Sequence, residues 1–71
     1  MKYLVVIERT RTGFSAYSPD LEGCVAAART RPSVLRAMQK AVEFHLEGLR
    51  LQGRKHPEPG TDVAFIEVRG G

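Results

Sequence analysis

Apolar and polar residues are arranged along this chain in two different periods, and the change of period separates strands from helix. Tyr3-Leu4-Val5-Val6-Ile7 is dense in β-branched side chains and apolar on both alternating faces before Glu8 and Arg9 bring charge, a pattern that suits a central strand. Thr10-Arg11-Thr12-Gly13 is a polar connector whose glycine is able to take positive φ, and Phe14-Ser15-Ala16-Tyr17-Ser18 resumes the alternation, which predicts a hairpin. Phe14, Ala16 and Ser18 share one face of that second strand while Ser15 and Tyr17 share the other, with Phe14 the expected core contact. Pro19 lacks a backbone donor, so the strand should end at Ser18 and the chain should bend through Pro19-Asp20-Leu21-Glu22-Gly23. Cys24-Val25-Ala26-Ala27-Ala28, short and preceded by a glycine, is read as a third strand.

From Pro32 to about Gln52 the period changes, and Leu35, Met38, Val42, Leu46 and Leu49 recur at steps of three and four, the stripe of an amphipathic helix. Thr30 or Arg31 stands at its start, Pro32 falls in the first turn where a missing N–H does no harm, and Gly53 is placed for a left-handed C-cap. Arg54 to Gly60, with Pro57 and Pro59, reads as a linker. Thr61 to Val68 then reads as a final strand, and Arg69-Gly70-Gly71 is expected to fray. The fold class is therefore α+β in the order β-β-β-α-β, a mostly antiparallel sheet with one long helix on one face, in a single domain over residues 1–71. Because Leu4 and Val6 point away from Tyr3, Val5 and Ile7, the face opposite the helix also wants cover, from a partner or from self-association.

With 42% hydrophobic and 27% charged residues in 71, the composition is globular and excludes a wholly disordered or collagen-like chain. The longest apolar run, Tyr3 to Ile7, is far short of the roughly 20 residues that cross a bilayer, and no secretory pattern opens the chain, so a cytoplasmic protein is expected. The single cysteine, Cys24, cannot close an intramolecular disulfide. A domain of this size buries only roughly 60% of its unfolded surface, which makes a homo-oligomer, dimer or tetramer, the expected source of further burial. The net charge of +3 favours an acidic partner only mildly.

Nothing in the chain assembles reactive chemistry. Cys24 has only His45 and His56 as candidate bases, neither at a telling spacing, and is expected to be buried and inert. One cysteine and two distant histidines fall short of the roughly four ligands of a zinc site, so no metal and no cofactor are expected. Glu43 and Glu47 share a helix face as an ordinary surface pair, no glycine-rich phosphate loop is present, and no catalytic residue is assigned. Arg29, Arg31, Arg36 and Lys40 gather around the helix N-terminus, whose unpaired N–H groups attract phosphate, and they define an alternative reading as a small nucleic-acid-binding module. Against it, the aromatics Tyr3, Phe14, Tyr17, Phe44 and Phe65 are spaced as core or half-core positions rather than interleaved with the arginines as stacking platforms.

The hairpin, the turn Tyr17-Ser18-Pro19-Asp20-Leu21-Glu22-Gly23-Cys24, the strand after it and the long helix ending before Gly53 resemble the HicB antitoxin domain. The similarity covers roughly residues 2–60; its most specific element is the Pro19-Asp20-Leu21, Gly23-Cys24 turn between two strands, supported by Pro57-Glu58-Pro59 after the helix. The resemblance implies a degraded ribonuclease-H-like sheet without nuclease function. It also implies a HicA-type toxin as partner, a small protein that cleaves messenger RNA and whose active site or RNA surface the antitoxin masks. With Gly71 as the last residue, the sequence is expected to lack the DNA-binding tail that many such proteins carry. The expected partner-binding residues are Tyr17, Asp20 and Glu22, with Pro19, Gly23 and Cys24 as structural residues of the turn.

Overall fold

The computed structural model describes residues 1–70 and contains three strands, β1 (Val6–Arg9), β2 (Phe14–Tyr17) and β3 (Val25–Ala28), followed by one helix, α1 (Arg31–Leu51). The strands form an antiparallel meander in the order β1-β2-β3, and α1 lies across β3 and β2. The α+β class and the β-β-β-α order are as the periodicity predicts.

Register decides which side chains meet the helix. Ile7 pairs with Ala16 and Ala16 with Ala26, while Arg9 pairs with Phe14 and Phe14 with Ala28. Alternation therefore places Ile7, Phe14, Ala16, Ala26 and Ala28 beneath α1, where they join the buried cluster of Ala16, Leu21, Cys24, Val34 and Met38. The small alanines of β3 leave room for the helix backbone to come close. Along α1 the inward stripe differs from the expected one at its start: Val34 is completely buried, and Leu35 lies at the exposed rim. At 100° per residue Val34 lies 40° to one side of Met38 and Leu35 60° to the other, so the buried face at the start of α1 is turned toward Val34.

Both ends of α1 are closed by local chemistry. Thr30 is the N-cap with extended backbone, and its Oγ1 accepts the Ser33 N–H at 3.2 Å, a bond whose removal typically costs about 1 kcal/mol. At the other end Gly53 takes φ 71°, the Gly53 N–H donates to Arg50 C=O at 3.0 Å and the Arg54 N–H to Leu49 C=O at 2.9 Å. That pair of bonds is a Schellman closure, which a left-handed glycine makes cheap.

Gly13 is needed for a reason other than the expected positive φ, which it does not adopt. The Thr10 N–H donates to Gly13 C=O at 2.9 Å, closing the hairpin, and a Cβ on Gly13 would overlap the Ala28 carbonyl oxygen and stand 2.7 Å from Arg29 Cα. The glycine makes room for the end of β3.

Three further expectations are corrected. β1 is an edge strand, not a central one, and its ladder begins only at Val6. Val6 pairs with Tyr17, the last residue of β2, so Tyr3, Leu4 and Val5 have no opposing strand beyond the Pro19 bend. The predicted last strand, residues 61–68, pairs with nothing among the described residues, and Val63, Phe65, Ile66 and Val68 stand in solvent. Of the aromatics expected at core or half-core positions, Phe44 and Phe65 are exposed, because one lies on the outer side of α1 and the other on this unpaired segment. Arg69 and Gly70 form an exposed turn, and Gly71 lies outside the described residues.

Candidate partner-docking face

The side of the sheet away from α1 is assembled by the same register. Val6 pairs with Tyr17 and Tyr17 with Val25, so three large apolar side chains stand in a row across all three strands on the uncovered face. Tyr17 is 42% exposed and Val25 66%. Glu8, Ser15 and Ala27 form the next row, Glu8 opposite Ser15 and Ser15 opposite Ala27. The face is thus apolar at one end and polar at the other. An apolar row of this kind, rimmed by polar groups, is the ordinary anatomy of a docking surface.

The bend between β2 and β3 borders the apolar end. Its backbone is closed by the Leu21 N–H donating to Ser18 C=O at 3.2 Å, the Cys24 N–H to Leu21 C=O at 3.1 Å and the Ser18 N–H to Cys24 C=O at 3.3 Å. Gly23, at φ 85°, makes the left-handed step. Leu21 turns inward and is only 1% exposed, so the bend is pinned by a side chain the periodicity did not single out. Two-residue spacing carries no signal inside a turn. The Ser18 hydroxyl is buried there without a hydrogen-bond partner among the described residues.

The three expected contact residues separate into two roles. Tyr17 and Glu22 are exposed. Asp20 is occupied within the chain: its Oδ1 accepts the Thr61 hydroxyl at 2.8 Å, and its Oδ2 accepts the Thr61 N–H at 3.1 Å and the Gly60 N–H at 3.3 Å. These bonds, the Thr61 hydroxyl first, hold the Asp20 carboxyl below the usual carboxylate range. Asp20 therefore fastens the segment after the helix to the bend. A second tie is the Tyr3 hydroxyl donating to Pro57 C=O at 2.6 Å.

Among the turn residues, Pro19 is exposed and Cys24 is buried. Burial pushes the Cys24 thiol above its ordinary pKa, and its Sγ lies 3.9 Å from Ala41 C=O. Glu43 accepts from Gln39 at 2.8 Å and Glu47 pairs with Arg50, so both carboxylates serve the helix surface. Arg29, Arg31, Arg36 and Lys40 are all exposed at and beyond the start of α1. Arg36 and Lys40 share a side of α1, Arg31 lies roughly 140° around the helix from Arg36, and the Arg36 guanidinium is engaged by Ser33 Oγ at 3.2 Å.

Fold and face together define a half-covered α+β domain, with the helix on one side of the sheet and exposed Tyr17 and Val25 on the other. No protein-family model matches the chain. Among solved structures it is similar to a chain of the "HicA3 and HicB3 toxin-antitoxin complex", with a TM-score of 0.69 and 33% identity over 84% of this chain and 70% of that one. The chain belongs to the family of that counterpart. Two curated proteins are also similar: an uncharacterized 14.9 kDa protein of Haemophilus phage HP1 from the rep-hol intergenic region, 33% identical over 93% of this chain and 50% of that protein, and a UPF0150 protein of Helicobacter pylori strain J99, 36% identical over 62% of this chain and 61% of that protein. The chain thus spans only half to three-fifths of the length of these curated relatives. No helix among the described residues is long and apolar enough to cross a membrane.

Proposed function

We propose that this chain is a non-enzymatic, HicB-type antitoxin domain that binds a HicA-type toxin and blocks messenger RNA cleavage by covering it. The observation that carries this reading is the joint sequence and structure match to a chain of a HicA3–HicB3 complex. The open face supports it. A row of Val6, Tyr17 and Val25 offers an apolar centre, and Glu8 on the same face and Glu22 at the bend add the negative charge that a basic, RNA-cleaving partner would meet favourably. Tyr17 is suited to anchor such a contact, because it combines a large ring with a polar tip at low entropic cost. In this reading Asp20 is a positioning residue. It fixes the bend and the linker, while Glu22 faces the partner.

The test is co-expression with a HicA-type toxin, together with an RNA-cleavage assay on the purified pair. Restored growth and stoichiometric loss of cleavage are expected. Undiminished toxicity and cleavage with an excess of the folded chain would overturn the proposal.

A further inference from the structure

Helix α1 carries two apolar stripes, and only one of them meets the sheet. Ala37, Ala41, Phe44, Gly48 and Leu51 recur at alternating steps of four and three, the spacing of a helix-packing seam. At 100° per residue they fall within about 80° of one another, centred roughly 100° around the helix from Met38. Phe44 is 82% exposed and Leu51 71%, one heptad apart on the same line. Large apolar side chains gathered in this way mark a surface that another molecule covers.

Gly48 shows how closely that molecule approaches. A glycine inside a helix lowers its stability relative to alanine, and Gly48 lies within α1. Its own backbone does not call for it, since its φ is not positive, and a Cβ built there meets no atom within 4 Å beyond the helix's own backbone. Gly13 makes room for the end of β3, whereas Gly48 makes room where this chain places nothing among the described residues. Beside it a groove of 460 Å³ runs between α1 and the bend, with Gly23, Cys24, Ala41, Phe44 and Leu49 among its walls. A hole at Gly48 between the knobs Phe44 and Leu51 is the geometry by which one helix receives another at short range.

The charges around the seam say what kind of helix fits. Lys40 borders it on the solvent side, and Arg54 lies on the groove beyond the end of α1. Neither is in an ion pair among the described residues, whereas Glu47, one heptad on from Lys40, is taken by Arg50. The seam is thus bracketed by free cations, which favour acidic flanks on the incoming helix.

We infer that the Phe44, Gly48 and Leu51 seam of α1 docks an acidic amphipathic helix of a different protein. Its apolar side chains enter at Ala41 and Gly48, and its carboxylates meet Lys40 and Arg54. From Ala37 to Leu51 the seam is about 21 Å long, so the contact falls at the small end of specific interfaces and its dissociation constant is on the order of micromolar. The seam lies on the helix side of the sheet, which leaves the Val6, Tyr17 and Val25 row open, and both surfaces can be occupied at once. The inference stands independently of the toxin partner.

The test is fluorescence anisotropy of a labelled synthetic peptide of roughly 21 residues, three heptads with leucine at both core positions and glutamate beside them, titrated with the full chain. Micromolar binding is expected, weaker as salt rises and on the order of 10-fold tighter than for the same peptide with lysine in place of glutamate. Phe44→Asp, at an exposed position where circular dichroism checks the fold, should weaken binding on the order of 10-fold or more, while Val25→Asp leaves it unchanged. Gly48→Leu separates docking from folding. It should raise the thermal midpoint, because leucine favours helix, and yet weaken binding on the order of 10-fold or more by filling the hole. No binding at about 1 mM chain, binding insensitive to Phe44→Asp or Gly48→Leu, or equal affinity for the lysine peptide would each overturn the inference. So would a seam filled by a second copy, seen as sedimentation of the chain alone that Phe44→Asp alters.

Discussion

Replacing Leu21 by alanine tests whether the bend between β2 and β3 is held by the core or only by its own hydrogen bonds. Leu21 is 1% exposed and belongs to a buried cluster whose other members are Ala16, Cys24, Val34 and Met38. The substitution removes the equivalent of about three methylenes, worth about 2.4 kcal/mol in transfer free energy at about 0.8 each. Any cavity that remains adds roughly 24 cal/mol per Å³, so the total lies between about 2.5 kcal/mol if the bend collapses and about 5 kcal/mol if it does not. For a domain of this size that is roughly a quarter to all of its margin, since roughly 0.05–0.15 kcal/mol per residue is typical. The assay is urea unfolding at fixed protein concentration, comparing midpoints at unchanged slope. A loss below about 1 kcal/mol would show that Leu21 is dispensable and refute the claim that the core pins the bend.

Other consequences follow from the same geometry. Gly13→Ala should destabilise by at least about 1 kcal/mol, because the new Cβ meets the backbone of Ala28 and Arg29; an unchanged thermal midpoint would contradict the close approach. Asp20 has a lowered pKa in the folded chain, so its contribution is complete above the unfolded value of about 3.9 and is lost as pH falls through the lower folded value. Amide proton shifts of Gly60 and Thr61 should titrate together with a midpoint below about 3.9, and a midpoint at or above it would contradict the tie. Cys24, buried and with its thiol pKa raised, should react with a thiol reagent at neutral pH only on unfolding; prompt native-state labelling would count against its placement.

How far the sequence could be read depended on where the deciding partner lay. The helix from Arg31 to Leu51 was legible because its period, its Thr30 cap and its Gly53 stop are all local. The hairpin and third strand were legible for the same reason. The position of β1 at the sheet edge was not, because an apolar pattern on both faces does not say which strands lie beside it. The strand pattern of residues 61–68 misled in the same way. Leu21 and Val34, both deeply buried, were missed because one sits in a turn without periodicity and the other lies one residue before the apparent stripe. At the candidate site, Tyr17 and Glu22 were readable as exposed residues beside a bend. The capture of Asp20 by Gly60 and Thr61, forty residues on, was not, since no local signal joins them.

The central claim is that the row Val6, Tyr17 and Val25 is where another protein docks. Calorimetric titration of the cognate HicA-type toxin into wild-type chain and into a Tyr17→Ala, Val25→Asp double variant tests it most directly. The account predicts a defined complex with the wild type, weakened on the order of 100-fold or more by the double variant and unchanged by Arg36→Ala with Lys40→Ala. Equal affinity for the wild type and the open-face variant would contradict it.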